Sequence, residues 1–441
     1  MHVPLAGGGQ ESLLSEVGSQ YLLPLFTTAE ACALRLVCRE FLAAVTEQPW
    51  DDKETVIKGS IGAWRACFPR ALSANVSQST YLPAQRRRVV PVVDADFVHF
   101  QGLRLLDMEA CTSVTDAAFV HLRGIHALSM SECNQVGITD AAFEHLRGIH
   151  TLDIGYCSQA GITDAAFAHL RGIHTLHMNE CNQVTITDAA FAHLRGIHKL
   201  EMGGCRQAGI TDAAFAHLHG IHTLDMMECN QASITDAAFA HLRGIHTLIV
   251  WGCSQAGITD AAFAHLRGIH TLNMSECSQE GITDAAFAHL RGIHTLDMRA
   301  CDQMGITDAA FAHLRGIHTL DMSYCCQDGI TDAAFAHLRG INKLAMIMCY
   351  QDGITDAALA HLRGIHTFNI SGCSEAITGS GFIHLVGVSK LIVSAQGLFD
   401  VADGLGLHVR LSNKGAVDED EGEGEGEGEG EGEGEGEGGA G

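Results

Sequence analysis

The string ITDAAFAHLRGIHTLDM fills residues 282–298 and returns unchanged at residues 306–322. Its opening isoleucine recurs at Ile138, Ile162, Ile186, Ile210, Ile234, Ile258, Ile282, Ile306, Ile330 and Ile354, always 24 residues apart. Val114 opens the first copy after a turn two residues shorter, and the pattern decays after Ile377. The tetrapeptide TDAA occurs eleven times. A fixed period of this length marks a stack of supersecondary units, not a set of independent globular domains.

Residues 149–172, IHTLDIGYCSQAGITDAAFAHLRG, show what one unit builds. Leu152 and Ile154 alternate as in a short strand with one buried face. SQAG reads as a turn. Thr163 is a good helix N-cap, and Asp164 follows where the helix dipole favours negative charge. Ile162 and Phe167 have the spacing of a hydrophobic staple, and Gly172 reads as the residue that ends the short helix. A lone strand–turn–helix cannot bury both its apolar faces, whereas a stack of thirteen can. The expected class is an α/β solenoid.

Twelve of the sixteen cysteines recur in register: Cys111, Cys133, Cys157, Cys181, Cys205, Cys229, Cys253, Cys277, Cys301, Cys325, Cys349 and Cys373. The pattern LxxLxLxxC followed by ITDxxFxxL resembles the cysteine-containing class of leucine-rich repeat over residues 92–412. The resemblance implies a curved horseshoe with a parallel sheet on its concave face and helices outside. The cysteines would replace that family's structural Asn or Cys as buried thiols that hold the turn. With no CxxC pair and no other ligand pattern, no metal or cofactor is expected. Histidine also forms two columns, one in the helix (His145, His169, His193 onward) and one before the strand (His150, His174, His198 onward). The second would stack at about the 4.8 Å strand spacing; Asn342 interrupts it, and duplication explains both columns more simply than pH sensing.

Internal comparison shows where the units differ. AFAHLRGIH is repeated verbatim six times, while change concentrates at the fifth, seventh and eighth positions, counting Ile149 as first. Strand alternation puts the fifth and seventh on the face opposite the buried fourth and sixth. The expected target-binding surface is therefore Asp107, Glu109, Asp153, Tyr156, His177, Glu201, Asp225, Met227, Trp251, Asp297, Arg299, Asp321, Tyr324, Ile347 and Met348. Six of its thirteen fifth positions are acidic, which suits a basic or polar protein segment. Its aromatic and arginine side chains are types enriched at binding hot spots.

The flanks have other compositions. All six prolines precede residue 92. In residues 13–52, LRLVCREF followed by Trp50 resembles the F-box motif, with departures at Leu14 and Pro24. That resemblance implies a helical module docking on a Skp-type adaptor of a cullin ubiquitin ligase, through Leu13, Val17, Leu22, Val37, Cys38, Phe41 and Trp50. The alternative is a helical cap over the first repeat. Residues 1–12 read as disordered, 53–91 as a linker and N-terminal cap, 92–393 as the solenoid, and 394–413 as a C-terminal cap. Residues 414–441 read as a disordered acidic Glu-Gly tail, whose segment 418–437 carries twelve of the 52 acidic side chains.

A net charge of −25 disfavours nucleic acid as a main partner. The start lacks a secretory pattern and no run reaches the length of a membrane helix, so a cytoplasmic or nuclear chain, monomeric within a complex, is expected. No phosphate loop, nucleophile elbow or other catalytic constellation is found. The chain reads as a non-enzymatic substrate receptor or, without the ligase link, as an interaction scaffold.

Overall fold

A computed structural model gives the structure of residues 23–37, 39–79 and 90–412. The expectations for residues 1–12 and 414–441, and for Leu13, Val17, Leu22 and Cys38, lie outside the described residues. Fifteen parallel strands follow one another in chain order in a single open sheet. Register is strict: Leu296 lies between Leu272 and Leu320, the same position of its neighbouring units. Thirteen of the strands, from Leu105–Asp107 to Lys390–Val393, are those of the repeat. Ser73–Asn75 and Val409–Leu411 extend the sheet at its two ends. Residues 53–91, expected as a linker and N-terminal cap, hold a helix, Ile61–Cys67, and a strand of the sheet itself, Ser73–Asn75.

Each unit buries one continuous stripe. In residues 149–170, the side chains of Ile149, Leu152, Ile154, Cys157, Ile162, Ala166, Phe167 and Leu170 are all essentially inaccessible. Thr151 and Asp153, flanking Leu152, stay half-buried on the other face. The helix is a single turn, Asp164–Phe167, opened by Thr163, whose hydroxyl accepts from the Ala165 N–H. It stops at Phe167, so Gly172 is not its terminator. Gly172, at φ +83°, instead closes the turn that leads into the next strand, a conformation that side chains disfavour.

Units are fastened to each other by side chains as well as by the sheet. The Asp164 carboxylate accepts from both the backbone N–H and the hydroxyl of Thr187 one unit on, each at 2.7 Å. The same two-point clamp recurs through the array, for example between Asp236 and Thr259. Cys157 Sγ donates to the Met130 carbonyl at 3.2 Å, and burial pushes its thiol up to about 12. Gln159 Nε2 donates to the Cys133 carbonyl at 2.6 Å. This glutamine column satisfies carbonyls that the open turns leave unpaired inside the stack.

The N-terminal unit comprises α1 (Thr28–Leu34), α2 (Arg39–Glu47) and α3 (Ile61–Cys67). Thr27 and Glu30 form a capping box at the start of α1. Trp50 and Phe68 pack edge to face, 5.6 Å apart, in a core continuous with the solenoid. The Trp50 carbonyl accepts from the Leu72 N–H at 2.7 Å, joining the helical unit to the first strand. At the far end, Gln396–Gly404 and the last strand cover the open stack. Among the described residues, no helix is long and apolar enough to cross a membrane.

Candidate protein-binding surface

The face opposite the Leu and Met interior is the concave wall. Near its N-terminal end lies a cleft of about 510 Å³. Lys53, Glu54 and Val56 line it together with Asp107, Ser129, Asp153 and His177. Four fifth-position side chains from consecutive units thus share one surface. Glu109, Glu201, Asp225, Met227, Trp251, Asp297, Asp321, Ile347 and Met348 are half-buried, while Tyr156, Arg299 and Tyr324 are exposed.

The fifth position also has a structural duty that sequence comparison missed. The Asp153 carboxylate accepts from the Gly155 N–H at 2.8 Å, Asp225 from Met227, Asp297 from Arg299, and Asp321 from Ser323. Asn273 and Asn369 make the same turn-closing bond. Short acidic and amide side chains recur there because they bridge their own backbone two residues on. The acidity of the wall is therefore partly a by-product of turn chemistry. In two units whose fifth residue does not do this, the preceding unit substitutes: Asn179 Oδ1 accepts from the Gly203 N–H at 2.7 Å, and the Ser323 hydroxyl accepts from the Ile347 N–H. Apart from Asn179 and Ser323, the seventh position carries side chains with no such bond, among them Trp251, Met227 and Ile347.

The eighth position has its own constraint. Ala110, Glu132, Tyr156, Glu180, Glu228, Glu276, Ala300, Tyr324 and Met348 all have φ between 52° and 61°, and Gly204, Gly252 and Gly372 take the same conformation. Left-handed backbone is unfavourable by roughly 1–2 kcal/mol for a residue with a side chain. Each such residue is held by donating its N–H to the seventh residue of the next unit, as Tyr156 does to Asn179 at 2.7 Å. Non-glycine residues kept in this conformation turn their side chains out along the rim beyond the strands. Tyr324 is 45% exposed and Tyr350, two residues beyond Met348, is 58% exposed. With Ile347 and Met348 they make one apolar stretch of rim.

Electrostatics divides the wall in two. At its N-terminal end, burial and then the charges of Glu109 and Asp153 raise Asp107 to about 6. Burial also raises Asp153 and Asp225. Glu201 is the exception. The His177 ring, 2.5 Å away, and the Lys199 ammonium, 2.9 Å away, hold it down to about 2. Further on, Arg299 lies along Asp297, with Nε 3.0 Å from each carboxylate oxygen, and reaches towards Asp321 at 3.7 Å. Its charge is neutralised within the wall, so its planar guanidinium is offered as a stacking surface more than as a free cation.

On the N-terminal unit, the expected adaptor residues separate. Val37 is 66% exposed and Phe41 is half-buried on α2. Trp50 is buried, with its indole N–H donating to the Val45 carbonyl at 2.8 Å. The structure therefore corrects Trp50 from a contact residue to a core residue: its ring is spent on Phe68. Sequence reading passed over Leu25, Phe26, Leu36 and Leu42, which are exposed alongside Val37.

No family model matches the sequence, and no curated protein matches it. Solved structures do. The TLR13–ssRNA13 complex matches at 15% identity and a TM-score of 0.53, over 75% of this chain and 51% of that one. The Toll–Spatzle complex of Drosophila matches at 12% identity and a TM-score of 0.52, over 80% of this chain and 56% of that one. The chain thus spans about half the length of these structures. At such identities the likeness concerns the fold, and with fifteen in-register strands on a 24-residue period, this chain has the leucine-rich-repeat fold.

Proposed function

We propose that the protein is a non-catalytic receptor that holds a protein target on the concave wall and rim, while its N-terminal helical unit docks on a second protein. The observation that carries this reading is that Leu25, Phe26, Leu36, Val37 and Leu42 are exposed on a small helical unit whose core is continuous with that of the solenoid. Five exposed large apolar side chains within eighteen residues of sequence are the kind of surface that an interaction site covers. The F-box resemblance makes a Skp-type adaptor of a cullin ubiquitin ligase the partner for that surface. The target would be a segment with basic or polar groups facing Asp107 and Asp153 and apolar groups facing the Tyr324–Tyr350 rim. Bringing target and ligase together would be the chain's contribution, and catalysis would belong to its partners.

Co-expression with a Skp-type adaptor tests the ligase link. Co-purification that is lost in Val37→Asp, with an unchanged melting curve, supports it. Absence of co-purification with the intact chain removes it and leaves an interaction scaffold. One observation favours that second reading: the Trp50 carbonyl ties the helical unit to the first strand, as a pure end cap would need.

A further inference from the structure

Opposite in character to the acidic wall, the edge that precedes the strands carries a basic ridge. Ten arginines, Arg123 to Arg363, occupy one position of the unit, and all are exposed. Guanidiniums contact the helix histidine of the next unit, as Arg195 does with His217 at 3.3 Å and Arg267 with His289 at 3.3 Å. Beside them runs a stack of nine imidazoles, His126 to His318, with centroids 4.5–4.6 Å apart. Among the described residues, none of the ten arginines pairs with a carboxylate. The aspartates of the same units are taken up by the threonine clamps.

A file of like charges with no carboxylate within salt-bridge reach among the described residues is a surface suited to a polyanion, and the chain carries one. Residues 418–437 hold twelve acidic groups, with glutamate and glycine alternating from Glu421 to Glu437. Removing those twelve from the net charge of −25 leaves −13, so most of the body repels the tail and the ridge is where it is attracted. We propose that the ridge is the docking surface of this chain's own Glu-Gly segment. Reach allows it: twenty extended residues span at most about 70 Å, against roughly 50 Å for ten units at the strand spacing. In an extended chain, alternate residues share a side, so every glutamate can face the ridge while glycine allows the backbone to follow its curve. In sequence, five residues, 413–417, separate this segment from Ser412. Binding is multivalent and electrostatic, which makes it sensitive to salt.

The test uses a labelled peptide of residues 418–437 and full-length protein whose twelve tail acids are replaced by Asn and Gln. This neutral-tail protein is expected to bind the peptide at low salt. The protein with its own tail should bind at least roughly tenfold more weakly, because the ridge is occupied, and 0.5 M salt should abolish both. Combined Arg195→Gln, Arg243→Gln, Arg267→Gln and Arg291→Gln in the neutral-tail chain should weaken binding at least roughly tenfold, and the same four positions as Lys should retain it. Equal binding by intact and neutral-tail proteins, or binding indifferent to ridge charge, overturns the proposal. Low-salt dimers of the intact chain that dissolve on neutralising the tail would place the tail on a second copy and overturn docking in cis.

Discussion

The concave wall and the basic ridge are built from the same 24-residue unit and the same backbone ladder, yet one differs from unit to unit and the other is copied. On the ridge, side chains meet their counterparts: Arg195 touches His217, and His198 stacks between His174 and His222. Altering one disturbs two interfaces. On the wall, the seventh and eighth residues are tied to the next unit mainly through their backbone, as the Tyr156 N–H is to the Asn179 carbonyl. Exposed sequence can thus be uniform where every unit meets the next through the same side chains, and variable where the backbone makes most of the contact. Uniformity of the ridge is no proof of idleness, and variability of the wall is freedom that recognition can use.

Substitutions should separate scaffold from display by size of effect. Phe239→Ala, deep in the stack, is expected to cost about 3–5 kcal/mol, seen as a large fall in the urea midpoint. Asp236→Ala removes the two 2.7 Å bonds from Thr259 and should cost about 2 kcal/mol. A midpoint unchanged by Asp236→Ala would mean that the clamps do not couple units.

The two faces should also respond to pH with opposite sign. Burial and the neighbouring rings lower His126, His150 and His174. Their folded values lie below the unfolded value of about 6.5, so the stability they contribute is present above it and lost as pH falls through the folded values. Replacing His150 by Asn, the residue the array already uses at Asn342, should blunt the loss of stability between pH 7.5 and 5. Asp107 is raised to about 6, so its contribution is present below the unfolded carboxylate range and lost as pH rises through about 6. Asp107→Asn should therefore stabilise the protein at pH 8 and make little difference at pH 4, as measured by chemical denaturation. Identical pH profiles for the two variants would remove the electrostatic contrast. The smallest stability effect is expected from Trp251→Ala and Tyr324→Ala, within about 0.5 kcal/mol, although each should weaken capture of a target.

The strand, the turn, the N-cap and the buried thiols could be read from one unit because they depend on local spacing. What escaped depends on a neighbour. Asp164 reads as a dipole partner until Thr187 is placed against it. Gln159 reads as a polar turn residue until the Cys133 carbonyl is seen above it. The glutamine column did leave a signal: it is present in ten successive units, from Gln135 to Gln351, although its position lies in a loop where change would be tolerated if it were exposed. At the wall, position was legible from alternation, but the turn-closing duty of Asp153 and Asp225 was not, because a bond from a side chain to its own backbone leaves no trace in periodicity. The strand Ser73–Asn75 escaped for want of a second copy with which to compare it.

The strict register of the ladder has a consequence for how such a chain can change in length. Residues 282–298 and 306–322 are the same string, and Leu272, Leu296 and Leu320 hold equivalent partners. Recombination between the two copies deletes or inserts 24 residues while presenting every flanking strand with the partner it had before. The arc can therefore lengthen or shorten by single steps of about 4.8 Å, resetting the gap between the helical unit and everything downstream while leaving the backbone ladder as it was.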